Sequence, residues 1–206
     1  MEIVLDIETV GQGVEDVPER ALEYLYRSLQ RDQPDPEELE RRREDLVSRF
    51  GLDPTTGRVV CVGTFDVETS RERAFVEASE RALLESFWQW LSDTRPKLLV
   101  TFNGKRFDVP YLEIRSAIHG IEPESSFSSI AHIDLRQTLE GDERRRRGSL
   151  DYFCAIFGIP SPKTELDGSR VEEAFGQGRI EEITRYCLED CRATAALYKR
   201  LRPFCR

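Results

Sequence analysis

No apolar run in the sequence approaches the roughly 18 residues needed to cross a bilayer, so no membrane partner is expected. Cysteine is sparse. The five present are odd in number and show no paired spacing, which argues against a disulfide scaffold and fits a reducing, cytoplasmic setting. The amino terminus has no basic lead and no small-residue cleavage site, so no signal peptide is expected. Positive charge is also short: 30 Lys and Arg against 39 Asp and Glu leave a net charge of −9. A protein that grips nucleic acid through phosphates alone is normally basic. Charge therefore points away from that ligand, unless contact is local and bound metal supplies positive charge. No internal repeat is evident.

What remains is one domain of ordinary size, residues 1–206, long enough to bury a sizeable core. Strand patterns lie in EIVLDIE, GRVVCVGTF, RAFVEA, KLLVTF and IAHIDL. Helical spacing marks EASERALLESFWQWLSD, VPYLEIRSAIHG, SLDYFCAIFGI and EEITRYCLEDCRATAALYKRL. This order predicts an α/β fold with a sheet covered on both faces. Residues 11–56 interrupt it with charged helical patterns, ALEYLYRSL and PEELERRREDLVSRF, around a Pro-rich break. We expect two inserted helices that leave the first strand close to its carboxylates. They lie over a site there or form a solvated excursion.

The opening stretch MEIVLDIETV sets Ile3, Leu5 and Ile7 on one strand face and Asp6 and Glu8 together on the other. Neighbouring carboxylates at a buried strand end repel one another and lose hydration, so a positive partner is required. In TFNGKRFDVPYL, Asp108 followed by Pro110 reads on its own as a helix N-cap, and Asn103-Gly104 as a tight turn. In RYCLEDCRAT, Tyr186 and Asp190 are four apart and share a helix face. Cys187 and Cys191 have the same spacing. Zinc sites usually show tighter pairs, so buried, inert thiols are the expectation. His119 and His132 are expected to be structural or surface residues. The basic runs at 41–43 and 144–147 read as solvated, with phosphate contact the alternative at 144–147.

Taken in order, Asp-x-Glu-Thr on the first strand, Asn-x4-Asp-x-Pro-Tyr-Leu after the fourth and Tyr-x3-Asp on the last helix resemble the DEDD superfamily of 3′–5′ exonucleases, in its tyrosine branch. TFNGKRFDVPYL is similar to the second exonuclease motif of family B DNA polymerase proofreading domains. The chain as a whole resembles the predicted 3′–5′ exonuclease family related to those domains. GRVVCVGTF, HIDL and the IFGIPSPKTELDGS stretch fall where that family has similar segments. No polymerase segment follows, so a stand-alone nuclease is expected.

The resemblance implies a ribonuclease H-like fold, a five-stranded mixed sheet with helices on both faces, plus the helical insertion. It implies two divalent cations, Mg2+ or Mn2+, held by Asp6, Glu8, Asp108 and Asp190, which would be the missing positive partners. Two-metal cleavage then places the ions about 3.5–4 Å apart. Asp6, Glu8 and Asp190 hold the ion that activates water. Asp6 and Asp108 hold the ion at the departing 3′ oxygen. Tyr186, with an ordinary pKa of about 10, positions the water rather than deprotonating it.

Thr9, Asn103, Lys105 and Phe107 are the expected substrate contacts, with base stacking on Phe102 or Phe107 set against simple core packing. Single-stranded or frayed 3′ ends are the expected substrate, DNA ahead of RNA, with nucleoside 5′-monophosphates released. With few phosphate contacts, log K against log salt should have a slope shallower than about −6. The insertion offers a surface to a protein partner. The competing readings are a non-catalytic binding or repair-scaffold module on the same fold, and a nuclease directed at RNA.

Overall fold

A computed structural model describes residues 1–140, 148–160 and 168–205. The basic run at 144–147 and most of the SPKTELDGS segment lie outside them. Five strands form one sheet in the order β3-β2-β1-β4-β5. They are β1 (Glu2–Gly11), β2 (Gly57–Asp66), β3 (Glu72–Phe75), β4 (Leu98–Thr101) and β5 (Ala131–Asp134). β1 runs antiparallel to β2, as does β2 to β3, whereas β4 is parallel to both β1 and β5. The mixed sheet with helices on both faces is the ribonuclease H-like arrangement.

Alternation along β1 separates the two cores. Leu5 and Ile7 face α3 (Glu80–Thr94) and α4 (Asp108–Ile118), packing with Leu84, Phe87, Trp88, Tyr111 and Leu112. Val4 and Val10 face the opposite layer. That layer comprises α5 (Leu135–Glu140), α6 (Leu150–Phe157), α7 (Val171–Gly176) and the long α8 (Ile180–Leu201). α8 buries a continuous stripe of Ile183, Cys187, Cys191, Thr194, Ala195 and Tyr198, spaced by three and four residues. Glu181 and Glu182 in its first turn and Lys199 and Arg200 in its last complement the helix dipole.

Two local features bring α8 close to β1. The β1–β2 register slips between Glu8 and Thr9, which pair with Cys61 and Val59. This bulge places the successive residues Val60 and Cys61 in one core cluster with Ile183 and Cys187. Gly63 pairs with Asp6, and a Cβ there would meet the Cys187 sulfur at 2.7 Å. Only glycine permits that approach.

Between β1 and β2 the chain forms α1 (Glu19–Leu29) and α2 (Pro36–Val47), the latter capped by the Asp35 carboxylate on the Glu38 N–H. Neither helix buries a residue. The segment's tail is different. Phe50 is buried, the Gly51 carbonyl accepts from the Thr9 hydroxyl (2.7 Å) and the Tyr111 hydroxyl (3.1 Å), and the Pro54 carbonyl accepts from Arg115 (3.1 Å). Among the described residues no helix is long and apolar enough to cross a membrane.

Candidate active site

Three elements deliver the acids. Asp6 and Glu8 project from β1 toward α8, as strand alternation requires. Glu8 is only 7% exposed, and no hydrogen bond reaches its carboxylate among the described residues. Asp108 stands at the first position of α4, where β4 has handed the chain over. The N-cap position belongs to Phe107, and no side chain caps this helix. The N-cap reading of Asp108 therefore does not hold. Its Oδ1 accepts instead from the Ile7 N–H (3.1 Å), a backbone group lying between Asp6 and Glu8. Asp190 comes from α8, one turn after Tyr186 on the same helix face.

The electrostatics are those of a site short of positive charge. Burial raises the pKa of Asp6 and Glu8 well above the usual carboxylate range, and neighbouring acids push both further. Burial takes Asp108 to about 7, against the hydrogen bonds from backbone N–H groups, with Asp134 and Asp190 adding to the rise. Asp190 also reaches about 7 through burial, opposed by the neighbouring Tyr186 hydroxyl and reinforced by Asp151 and Glu189. The charged groups acting most strongly on all four are other acids and thiols. Asp190 Oδ1 is shielded from solvent and has no hydrogen-bond partner among the described residues. Oxygen ligands gathered in this way suit a hard divalent cation.

The Tyr186 hydroxyl is pushed far above its ordinary value, first by burial and then by Asp190, Glu8 and Asp6. It is a hydrogen-bond donor throughout the neutral range.

The remaining predicted residues surround this cluster. Asn103 adopts a left-handed backbone (φ 72°), the conformation Asn tolerates best after Gly. Its loop is tied to the end of β5: Asp134, itself buried, accepts from the N–H groups of Asn103 (2.9 Å) and Lys105 (3.0 Å). His132 helps in the same place, bonding Thr101 Oγ1 (2.9 Å), which accepts from the Gly104 N–H. Burial pulls the His132 pKa down to about 4, so its ring is neutral. The Lys105 side chain is exposed. Phe107 packs on Tyr111 (5.3 Å between centroids) and Phe102 on Phe153 (6.0 Å). The Thr9 hydroxyl is occupied by the Gly51 carbonyl.

The sequence alone assigned no role at the site to two further residues. Asp134 closes a strand ending HIDL, and a carboxylate directly before a helix is a signal for backbone N–H capture. Cys187 is buried as expected but lies inside the acid cluster. Its sulfur is 3.6 Å from both the carbonyl and Oδ2 of Asp6, and ligand atoms of Asp6, Glu8 and Cys187 all lie within 4.8 Å of one another.

Residues 58–205 match a protein family described as "Predicted 3'-5' exonuclease related to the exonuclease domain of PolB". β1, with Asp6 and Glu8, and the insertion precede the matched range. The catalytic polypeptide of DNA polymerase epsilon from Eremothecium gossypii is 31% identical over 144 residues, 63% of this chain and 7% of that protein. The chain thus corresponds to a small part of the polymerase. An uncharacterised protein of Methanocaldococcus jannaschii is 29% identical over 164 residues, 75% of this chain and 92% of its own length. The family B DNA polymerase of Pyrobaculum calidifontis shares the fold with a TM-score of 0.68 at 20% identity, over 98% of this chain and 24% of that one.

Proposed function

From the premise that this chain belongs to the family of predicted 3′–5′ exonucleases related to the exonuclease domain of PolB, we propose that it hydrolyses single-stranded DNA from the 3′ end and releases nucleoside 5′-monophosphates. Exonuclease domains of this family are metal-dependent, and we take the ions to be Mg2+ or Mn2+. The observation that carries the reading is the convergence of four carboxylates from β1, α4 and α8, Glu8 and Asp108 buried and Asp190 with a solvent-shielded oxygen lacking a hydrogen-bond partner among the described residues. DNA is favoured over RNA because the polymerases similar to this chain are DNA polymerases. We read residues 1–206 as one exonuclease domain and 11–56 as its insertion. A cytoplasmic setting fits the free cysteines.

In this proposal Asp6, Glu8 and Asp190 hold one cation, and Asp6 and Asp108 the other. When bound, the ions supply a water-derived nucleophile near neutral pH and offset charge on the leaving oxygen. The chain supplies position. Ile7 N–H fixes Asp108 against the strand bearing its fellow ligands. Tyr186, protonated at neutral pH, donates a hydrogen bond and orients the attacking water. Asn103 and Lys105, on the loop tied down by Asp134, meet the terminal nucleotide, with Thr9 and Phe107 bordering it.

The test incubates labelled single-stranded DNA and RNA of matched sequence with Mg2+, Mn2+ or chelator, beside closed circular single-stranded DNA. Expected are metal-dependent shortening from the 3′ end, faster on DNA, and an intact circle. Cleavage of the circle would overturn end dependence. No shortening of any polynucleotide with Mn2+ would overturn the enzyme.

A further inference from the structure

The acid cluster is not made of oxygen alone. Cys187 is fully buried, its sulfur lies 3.6 Å from Asp6 Oδ2, and the two form a close trio with Glu8, whose buried carboxylate takes no hydrogen bond among the described residues. Three elements keep the thiol there. α8 carries it on the buried stripe, Gly63 leaves the space for it, and the β1–β2 bulge sets Cys61 beside it in the same cluster. Thiol and carboxylate donors together favour a softer, borderline ion such as Zn2+ or Cd2+ over Mg2+. Ligand atoms around a tetrahedral zinc stand about 3.5 Å apart, so a trio spanning 4.8 Å closes by about 1.3 Å at most. Side-chain rotation within a cluster this close covers that distance.

We infer that Asp6, Glu8 and Cys187 form a thiol-containing site for Zn2+ or Cd2+, and that such an ion, once bound, excludes the hard cation and holds the protein inactive. The inference deepens the reading of this site as a metal-dependent exonuclease. The binding step balances simply: the sulfur–metal bond forms as the S–H bond breaks, and the proton leaves to solvent without any change of oxidation state. Cys191 and Cys61 are not ligands in this assignment; they lie beside Cys187 in the buried layer.

The experiment titrates Cd2+ into metal-stripped, reduced protein and follows the sulfur-to-metal charge-transfer absorption in the ultraviolet, with Mn2+ affinity measured in parallel. Wild type should show the band. Both Cys187→Ser and Cys187→Ala should lose it, with Cd2+ and Zn2+ affinity down by about tenfold or more while Mn2+ affinity stays within about twofold. Asp6→Asn, which keeps every thiol, should also weaken Cd2+ binding, and Cys191→Ala should retain the band. A band that survives Cys187→Ala, or undiminished Cd2+ affinity in Asp6→Asn, overturns the assignment. So does a wild type that shortens DNA with Mn2+ but shows no band, and that result leaves the exonuclease reading intact. A wild type that shows the band yet degrades no polynucleotide does the reverse.

Discussion

At Glu80 the fold buries a carboxylate together with its own cation, whereas at Asp6, Glu8, Asp108 and Asp190 it gathers four, two of them buried, and pairs none with a cation among the described residues. Glu80 opens α3 and meets Arg115 of α4, both side chains less than a tenth exposed. His119 (2.8 Å) and the Val59 N–H (2.7 Å) complete its hydrogen bonds. Burial would raise the Glu80 pKa, yet Arg115, His119 and the backbone bond together hold it below the usual value. A few residues away in space, the same sheet drives four acids upward. The first arrangement is a structural clamp between two helices and the tail of the insertion. The second gathers unfavourable charge that the proposed cations would relieve, the pattern expected where function outweighs stability.

The largest test of this contrast is Asp6→Asn. Exonuclease activity should fall by about 10³-fold or more, several kcal/mol of barrier at 1.36 kcal/mol per decade. The melting temperature in chelator should hold or rise, because one of four repelling groups is neutralised. A fall in stability instead would mean that Asp6 is already satisfied within the protein. Arg115→Ala should do the opposite. It leaves Glu80 buried without its partner and should cost about 3–5 kcal/mol in denaturant unfolding. Turnover per folded molecule should be little changed.

The pH profile of the metal-free protein separates the two regions further. Asp108 and Asp190 titrate near 7 in the folded state, above the ordinary 3.8. Between those values the folded chain holds protons that the unfolded chain has released, so stability falls as pH rises toward and through 7. Glu80 has the opposite sign: its contribution is present above 4.5 and is lost as pH falls through its lowered value. In chelator, melting curves from pH 4 to 8 should show a loss on the order of a few kcal/mol toward neutrality. Saturating Mn2+ should abolish that loss. The smallest effect belongs to Tyr186→Phe, which keeps the four acids. Turnover should drop about 10–100-fold, at the low end of the range for a positioned proton-handling group. Mn2+ affinity should be unchanged, as calorimetry would show.

Much of the fold could be read from periodicity. All five strands and the long helices α3, α4 and α8 carry patterns that tertiary contacts reinforced. The short helices α5 and α7, with six residues each, were not legible, because one or two turns cannot display a repeat. At the site, strand alternation and the four-residue helical spacing were enough to set Asp6 beside Glu8 and Tyr186 beside Asp190. The role of Asp108 was not. Only the tertiary position of the Ile7 N–H separates a cap from a group held against β1. Cys187 was hidden for the same reason, since its approach to Asp6 depends on Gly63 in another strand. His119 was expected to be structural or a surface residue and is structural, but the pairing of Glu80 with Arg115 carried no signal among so many charges. Their partnership spans 35 residues of sequence between Glu80 and Arg115.

The inserted hairpin is attached to the domain very unevenly. Its two helices bury nothing, while the short stretch behind them is knitted into the strand and helix that border the acids through Gly51 and Pro54. Evolution is thus free to lengthen, trim or redecorate the outer helices, provided the few residues around Phe50 still return to their seat. Modularity in this protein ends at residue 50, and the scaffold begins there.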